Sequence, residues 1–145
     1  MRPEAVEAMR PFLTELYANP SGSHGASRAS KNALEEARET VAALLGSTTR
    51  EIVFTGGGSE GDNLAVKGAA WAARARGDGD GVVTTAIEHK AVLGACARLE
   101  LDGFRVTRVG ATHDGTIDLD AFADSLDERT VVVSVMLVNN ETGVV

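Results

Sequence analysis

The densest group of chemically useful residues is Gly56-Gly57-Gly58-Ser59. It follows a short β-rich run, Glu51-Ile52-Val53-Phe54-Thr55, and precedes Leu64, Ala65, Gly68 and Trp71, which are spaced for a helix. A glycine turn at a helix N-terminus presents backbone N–H groups, a hydroxyl and the positive end of a helix dipole at one point, which suits a phosphate. The structural alternative is a tight strand-to-helix turn that uses glycine for positive φ, yet three consecutive glycines exceed what a turn needs. Gly56, Gly58 and Gly61 also satisfy G-x-G-x-x-G, and Glu88 follows the next strand where a ribose-binding acid could sit, so a nicotinamide dinucleotide module competes for these residues. A P-loop is disfavoured, because no Lys-Ser or Lys-Thr follows the glycines.

Two further groups fall at corresponding places. His89 follows a strand and opens a helix, where an imidazole can stack on a planar ligand or shuttle a proton, or simply be a solvated first-turn residue. Asn139 and Asn140 follow the last strand; an amide there can hydrogen-bond a phenolate or carbonyl oxygen, and the plain alternative is a polar turn. His24 lies in a glycine and serine loop that could line a site, whereas His113 in an Asp-Gly turn is assigned no role. Cys96 shares an apolar helical face with Val92 and Leu99 and reads as a small buried hydrophobe. No zinc or nonheme iron spacing and no Ser-His-Asp arrangement is present.

The elements that must position these residues alternate. Pro3 to Tyr17 reads as an amphipathic helix broken at Pro11, and Asn19 to Gly25 as a loop. A long helix then runs from Ser27 to a stop at Gly46. Strands are expected at Glu51–Thr55, Val82–Ala86, Phe104–Val109 and Thr130–Met136. Helices are expected after the first two, and a short one capped by Asp118 before the last. Crossovers long enough for helices predict an α/β fold of three layers, a mostly parallel sheet flanked by helices.

The chain of 145 residues is 43% hydrophobic but only 4% aromatic, a composition of small branched residues suited to helices packed closely on a sheet, and a single globular unit is the default expectation. A formal charge of −7 with no basic run argues against nucleic acid and anionic membrane as partners. One cysteine excludes an internal disulfide framework and suits a reducing compartment, so the cytoplasm is expected. The longest apolar run, Val131 to Val138, is too short to span a bilayer, and no targeting segment is visible. The final valine pair reads as a chain that leads onward.

Taken in order, Asn19 to His24, Glu51 to Ala65, Glu88 to Val92 and Val138 to Gly143 resemble cysteine desulfurases of the class V aminotransferase family along essentially the whole chain. The resemblance implies that residues 1–145 are one partial large, cofactor-binding domain of a pyridoxal-phosphate-dependent transferase, with the small C-terminal domain absent. It further implies that Gly58 and Ser59, the latter at the family's usual threonine, bind the phosphate of pyridoxal 5'-phosphate. By the same likeness His89 stacks on the pyridine ring and assists proton transfer, and Asn140 hydrogen-bonds the phenolic oxygen. Ser27 and Ser30 depart from a family glycine and alanine.

The implied chemistry removes sulfur from L-cysteine, leaving L-alanine and a persulfide on the enzyme for iron–sulfur cluster assembly or thio-modification. The implied partners are a sulfur acceptor or scaffold protein and a second copy in a homodimer. The family's Schiff-base lysine, its acceptor cysteine and its pyridine-pairing Asp have no counterpart here. Lys31, Lys67 and Lys90 stand outside the Schiff-base motif, and the chain alone is expected to be inactive and to hold the cofactor weakly. A selenocysteine lyase or another class V enzyme, a dinucleotide-binding module, and a noncatalytic chain that joins a full-length subunit are the competing expectations.

Overall fold

The computed structural model describes residues 1–145, which pack as two compact units, Met1–Phe54 and Thr55–Val145. In the first unit, helix α1 spans Pro3–Thr14, helix α2 spans Gly25–Leu45, and a single 3-10 turn covers Thr49–Glu51. Pro11 lies inside α1 without dividing it, which corrects the expected break. A proline removes a single ladder bond, and the Pro11 carbonyl still accepts from the Glu15 and Leu16 amides. α1 also stops at Thr14, short of Tyr17. α2 ends where expected, on Gly46 in the left-handed region at φ 64°.

The expected strand at Glu51–Thr55 is absent. Glu51 closes the 3-10 turn through its carboxylate, which accepts from the Thr48 amide at 2.7 Å, and Ile52 to Thr55 form no ladder. Strand propensity measures fit to a pleated, half-buried surface, and here Val53 is 62% exposed with no neighbouring strand. The Ile52 carbonyl accepts instead from the Arg38 guanidinium at 2.5 Å, and Arg38 lies over the Phe54 ring.

The second unit is helix α3 (Gly58–Arg76), strand β1 (Gly81–Thr85), helix α4 (Lys90–Leu101), strand β2 (Arg105–Val109), short helix α5 (Leu119–Asp124) and strand β3 (Thr130–Ser134). The sheet order is β2-β1-β3, all parallel, so the α/β expectation holds, with strand limits moved by one or two residues. β1 is buried on both faces along its whole length. One face carries α3 and α4, whose Val66, Ala70, Val92, Ala95, Cys96 and Leu99 enclose Val82 and Phe104. Cys96 is fully buried in this core and burial pushes its thiol up, as its apolar neighbours on the helix predict. Glycine is required at Gly79 and Gly81, where an added side chain would run into the Arg129 carbonyl that receives the Gly81 amide at 2.8 Å.

Leu99 is fully buried and Leu101 is 83% exposed on the same helix. Leu99→Ala is therefore expected to lower unfolding free energy by about 2–5 kcal/mol, and Leu101→Ala to change it by less than about 0.5 kcal/mol, both read from urea unfolding. Equal losses would place the core elsewhere.

Beyond β2, Ala111 and Ile117 form a bridge around a turn in which Asp114 accepts from the Thr112 and Thr116 hydroxyls and the Thr116 amide. These bonds, the Thr112 one foremost, hold the Asp114 carboxyl down at about 2 against an ordinary 3.8. A depressed folded value means the carboxylate adds stability present above pH 3.8 and lost as the pH falls through about 2. An NMR titration of the Asp114 carboxyl should show the low midpoint, and Thr112→Val should raise it; an ordinary midpoint in the unmodified chain would contradict the turn.

Candidate functional site

A parallel sheet delivers every strand exit to one edge, and ligands of open sheets bind there. β1 leaves that edge through Ala86, whose amide donates to the Val109 carbonyl at the end of β2 (2.8 Å), and continues by Ile87 and Glu88 to His89. His89 is the N-cap of α4: its Nδ1 accepts from the Ala91 amide at 3.1 Å, and its carbonyl accepts from Val92 and Leu93. The residue is exposed, which leaves Nε2 and the ring faces open.

β3 leaves the same edge, next to β1, and enters the turn Asn139 to Val144. Asn139 is half-buried and its Nδ2 donates to the Ile87 carbonyl at 3.1 Å, a bond between the two exit loops. Asn140 is exposed, and its amide is not engaged by any other group of the chain. The fold thus brings the His89 and Asn140 loops together.

α3 closes on Gly77 in the left-handed region and enters β1 four residues later, so it runs antiparallel to β1 and its N-terminus points to the carboxyl edge. None of Gly56, Gly57 and Gly58 lies in the left-handed region that favours glycine; Gly57, at φ 165°, is extended backbone open to any residue. The tight-turn explanation of the glycines is thereby corrected. No atom lies within 4 Å of where a Cβ on Gly57 or Gly58 would sit. The missing side chains relieve no internal crowding, and leave the backbone open to an approaching group.

The turn is held from behind: the Gly56 amide donates to the Glu60 carboxylate at 2.6 Å, the Thr55 hydroxyl to the Gly57 carbonyl at 3.1 Å, and the Asn63 amide to the Ser59 carbonyl at 2.7 Å. No side chain caps α3, so the amides of its first turn and the exposed Ser59 hydroxyl face outward. Open N–H groups, a hydroxyl and a helix dipole fit a phosphate.

Glu88, proposed for ribose, is buried in the unit with its Oε1 unpartnered, so it does not reach the crevice. With no strand ahead of the glycines either, the dinucleotide fingerprint lacks both of its structural supports. His24, in the first unit, caps α2 by accepting the Ser27 amide at 3.4 Å, and buried Ser27 places its Oγ 3.1 Å from Nε2. A cleft of about 580 Å³ in the second unit has mostly apolar walls including Ile87, Met136, Leu137 and Val144, and none of Gly58, Ser59, His89 or Asn140 lines it. No cluster of three or more His, Cys, Asp or Glu side chains is placed to hold a metal, and no helix is long and apolar enough to cross a membrane. Sequence reasoning missed the Asn139 link and the Glu60 brace; only the tendency of asparagine to close turns pointed at the former.

The aminotransferase class V family model matches residues 1–145. Cysteine desulfurase IscS of Dictyoglomus turgidum is 41% identical over 145 residues, 100% of this chain and 36% of its own. A cysteine desulfurase of Trichormus azollae is 45% identical over 143 residues, 99% of this chain and 35% of its own. Among solved structures, a NifS-like protein superposes with TM-score 0.84 at 36% identity, over 97% of this chain and 38% of that one. SspA in complex with cysteine gives TM-score 0.81 at 36% identity, over 97% and 40%. The chain spans about a third of the length of these curated relatives.

His89 has two roles that substitution separates. His89→Ala is expected to lose about 1 kcal/mol of stability with the cap, and His89→Asn, itself a good N-cap, only a few tenths, in urea unfolding. Equal losses would mean that the Nδ1 bond to Ala91 contributes nothing.

Proposed function

The chain belongs to the class V aminotransferase family, and from that premise we propose that it is part of a pyridoxal-phosphate-dependent cysteine desulfurase converting L-cysteine to L-alanine and an enzyme persulfide. The observation that carries the reading is the glycine turn, where Gly57 and Gly58 are needed neither for backbone conformation nor for internal packing. Space kept free beside unpaired helix N-terminal amides suits a phosphate group.

In this reading Gly58 and Ser59 bind the phosphate through their N–H groups and the Ser59 hydroxyl. Asn140 donates its free amide to the phenolic oxygen of the cofactor ring. His89 stacks on the ring; because Nδ1 is committed to Ala91, Nε2 is the nitrogen that holds or moves a proton. When bound, pyridoxal phosphate supplies the electron sink. Both compact units are assigned to the large cofactor-binding domain, with the small C-terminal domain outside these residues. Lysine and cysteine groups for the cofactor and the sulfur come from that remainder, so residues 1–145 alone neither turn over cysteine nor hold the cofactor tightly. A cytoplasmic homodimer that passes sulfur to an acceptor or scaffold protein, for iron–sulfur cluster assembly or thio-modification, completes the proposal. The names of the relatives, both cysteine desulfurases, support the activity within this proposal.

The test uses the parent protein and measures alanine released from L-cysteine. Ser59→Ala is expected to weaken pyridoxal phosphate binding roughly 10- to 100-fold, the loss of one hydrogen bond to a charged group, about 1.5–3 kcal/mol, with Ser59→Thr retaining it. His89→Ala is expected to lower turnover by about 10²–10⁴-fold. No alanine release, or binding of NAD in place of pyridoxal phosphate, would overturn the reading.

A further inference from the structure

Adjacent asparagines at the carboxyl edge have different environments. Asn140 is exposed with a free amide, whereas Asn139 is half-buried and uses both ends of its side chain. Its Oδ1 accepts from the Glu141 amide (3.0 Å), the Thr142 amide (2.9 Å) and the Thr142 hydroxyl (3.2 Å). Its Nδ2 donates to the Ile87 carbonyl (3.1 Å) and lies 3.5 Å from the Met136 sulfur. Its own amide donates to the Val144 carbonyl and its carbonyl accepts from Gly143, both at 2.8 Å. Gly143, at φ 74°, turns the chain back to close the ring.

The acceptor bonds are those of an ordinary asparagine turn, which aspartate forms equally well. The donor bond is different, because it leaves the turn and fixes the exit of β1 two residues before His89. The asparagine amide accepts on one side and donates on the other; a carboxylate of the same shape would set oxygen against the Ile87 carbonyl. Asn140 is covalently next to one end of this bond. The geometry points to Asn139 as a positioning residue that sets the placement of the Asn140 amide relative to the His89 imidazole. The inference rests on the proposed function for its catalytic meaning, but the link itself stands on the fold alone.

Asn139→Asp separates the two tasks, since it keeps the turn acceptors and removes the donor. In the 145-residue chain, NMR should show the Ala86 to Lys90 amides shifted and faster in hydrogen exchange in Asn139→Asp, with Gly143 and Val144 little changed. Asn139→Ala should disturb both segments. In the parent protein Asn139→Asp should lower kcat for L-cysteine roughly 10- to 100-fold, the scale of a small misplacement of catalytic groups, with KM nearly constant.

A merely turn-forming asparagine would leave Asn139→Asp silent at Ala86 to Lys90 and in kcat, and that result would overturn the inference. Should the variant not fold, the unmodified chain decides: a scalar coupling across the hydrogen bond from Asn139 Nδ2 to the Ile87 carbonyl is expected, and its absence overturns the link. Failure of the desulfurase reading registers separately, as absence of alanine release from the unmodified parent.

Discussion

Parallel strands cannot be joined by a tight turn, so each strand here is left at one edge of the sheet and the next is entered at the other. β1, paired in parallel with β2 and β3 and buried along its length, fixes where those edges lie. The amino edge collects charge: Asp80 accepts from Arg105 and Arg129 at 3.2 and 2.6 Å, and Arg105 also pairs with Asp127 at 3.0 Å. Exposed pairs of this kind are worth about 0–1 kcal/mol each, so they tune the sheet rather than hold it. The ladders and the apolar face under α3 and α4 hold it, and the carboxyl edge is left free to carry polar groups with other work.

Both long helices of the second unit begin at that carboxyl edge, and each directs a positive dipole end toward it. Their first turns are treated differently. α4 has its Ala91 amide taken by His89, an intramolecular cap that fixes the ring while leaving Nε2 free. α3 has no side-chain cap, and the Glu60 carboxylate reaches back to the Gly56 amide rather than across the opening of the helix. The one helix start in the crevice without a side-chain cap is therefore the one preceded by glycines. An uncapped start with no side chain crowding it leaves its amides accessible, the arrangement in which helix N-termini accept anions.

How far the sequence reveals this depends on whether a residue's environment is local. Gly46 as a helix stop, Asp118 as a cap that accepts the Ala121 amide at 3.0 Å, and Cys96 as a core residue are all decided by near neighbours, and each is legible. The β-rich run Ile52 to Thr55 fails because a strand needs a partner that local sequence cannot supply, and Arg38 takes the Ile52 carbonyl instead. Pro11 was expected to break α1, yet the helix tolerates the loss of one bond while the bonds accepted by Pro11 itself persist. The glycines suggested a ligand before the fold was known, but the competing reason, positive φ, could be discarded only from the backbone angles.

Asn139 and Asn140 show the same limit at the scale of one peptide bond. As residue types they are interchangeable donors and acceptors, and nothing in Asn-Asn-Glu-Thr-Gly ranks them. Burial ranks them: a half-buried amide must satisfy its hydrogen-bonding groups within the chain, and the Ile87 carbonyl and the Thr142 amide do so for Asn139. An exposed amide has no such obligation, so Asn140 keeps its donors for whatever enters the crevice. The loop thus spends one asparagine on its own geometry to present the next. That division arises only once β3 lies beside β1, which returns the chemistry of the edge to the order of the sheet.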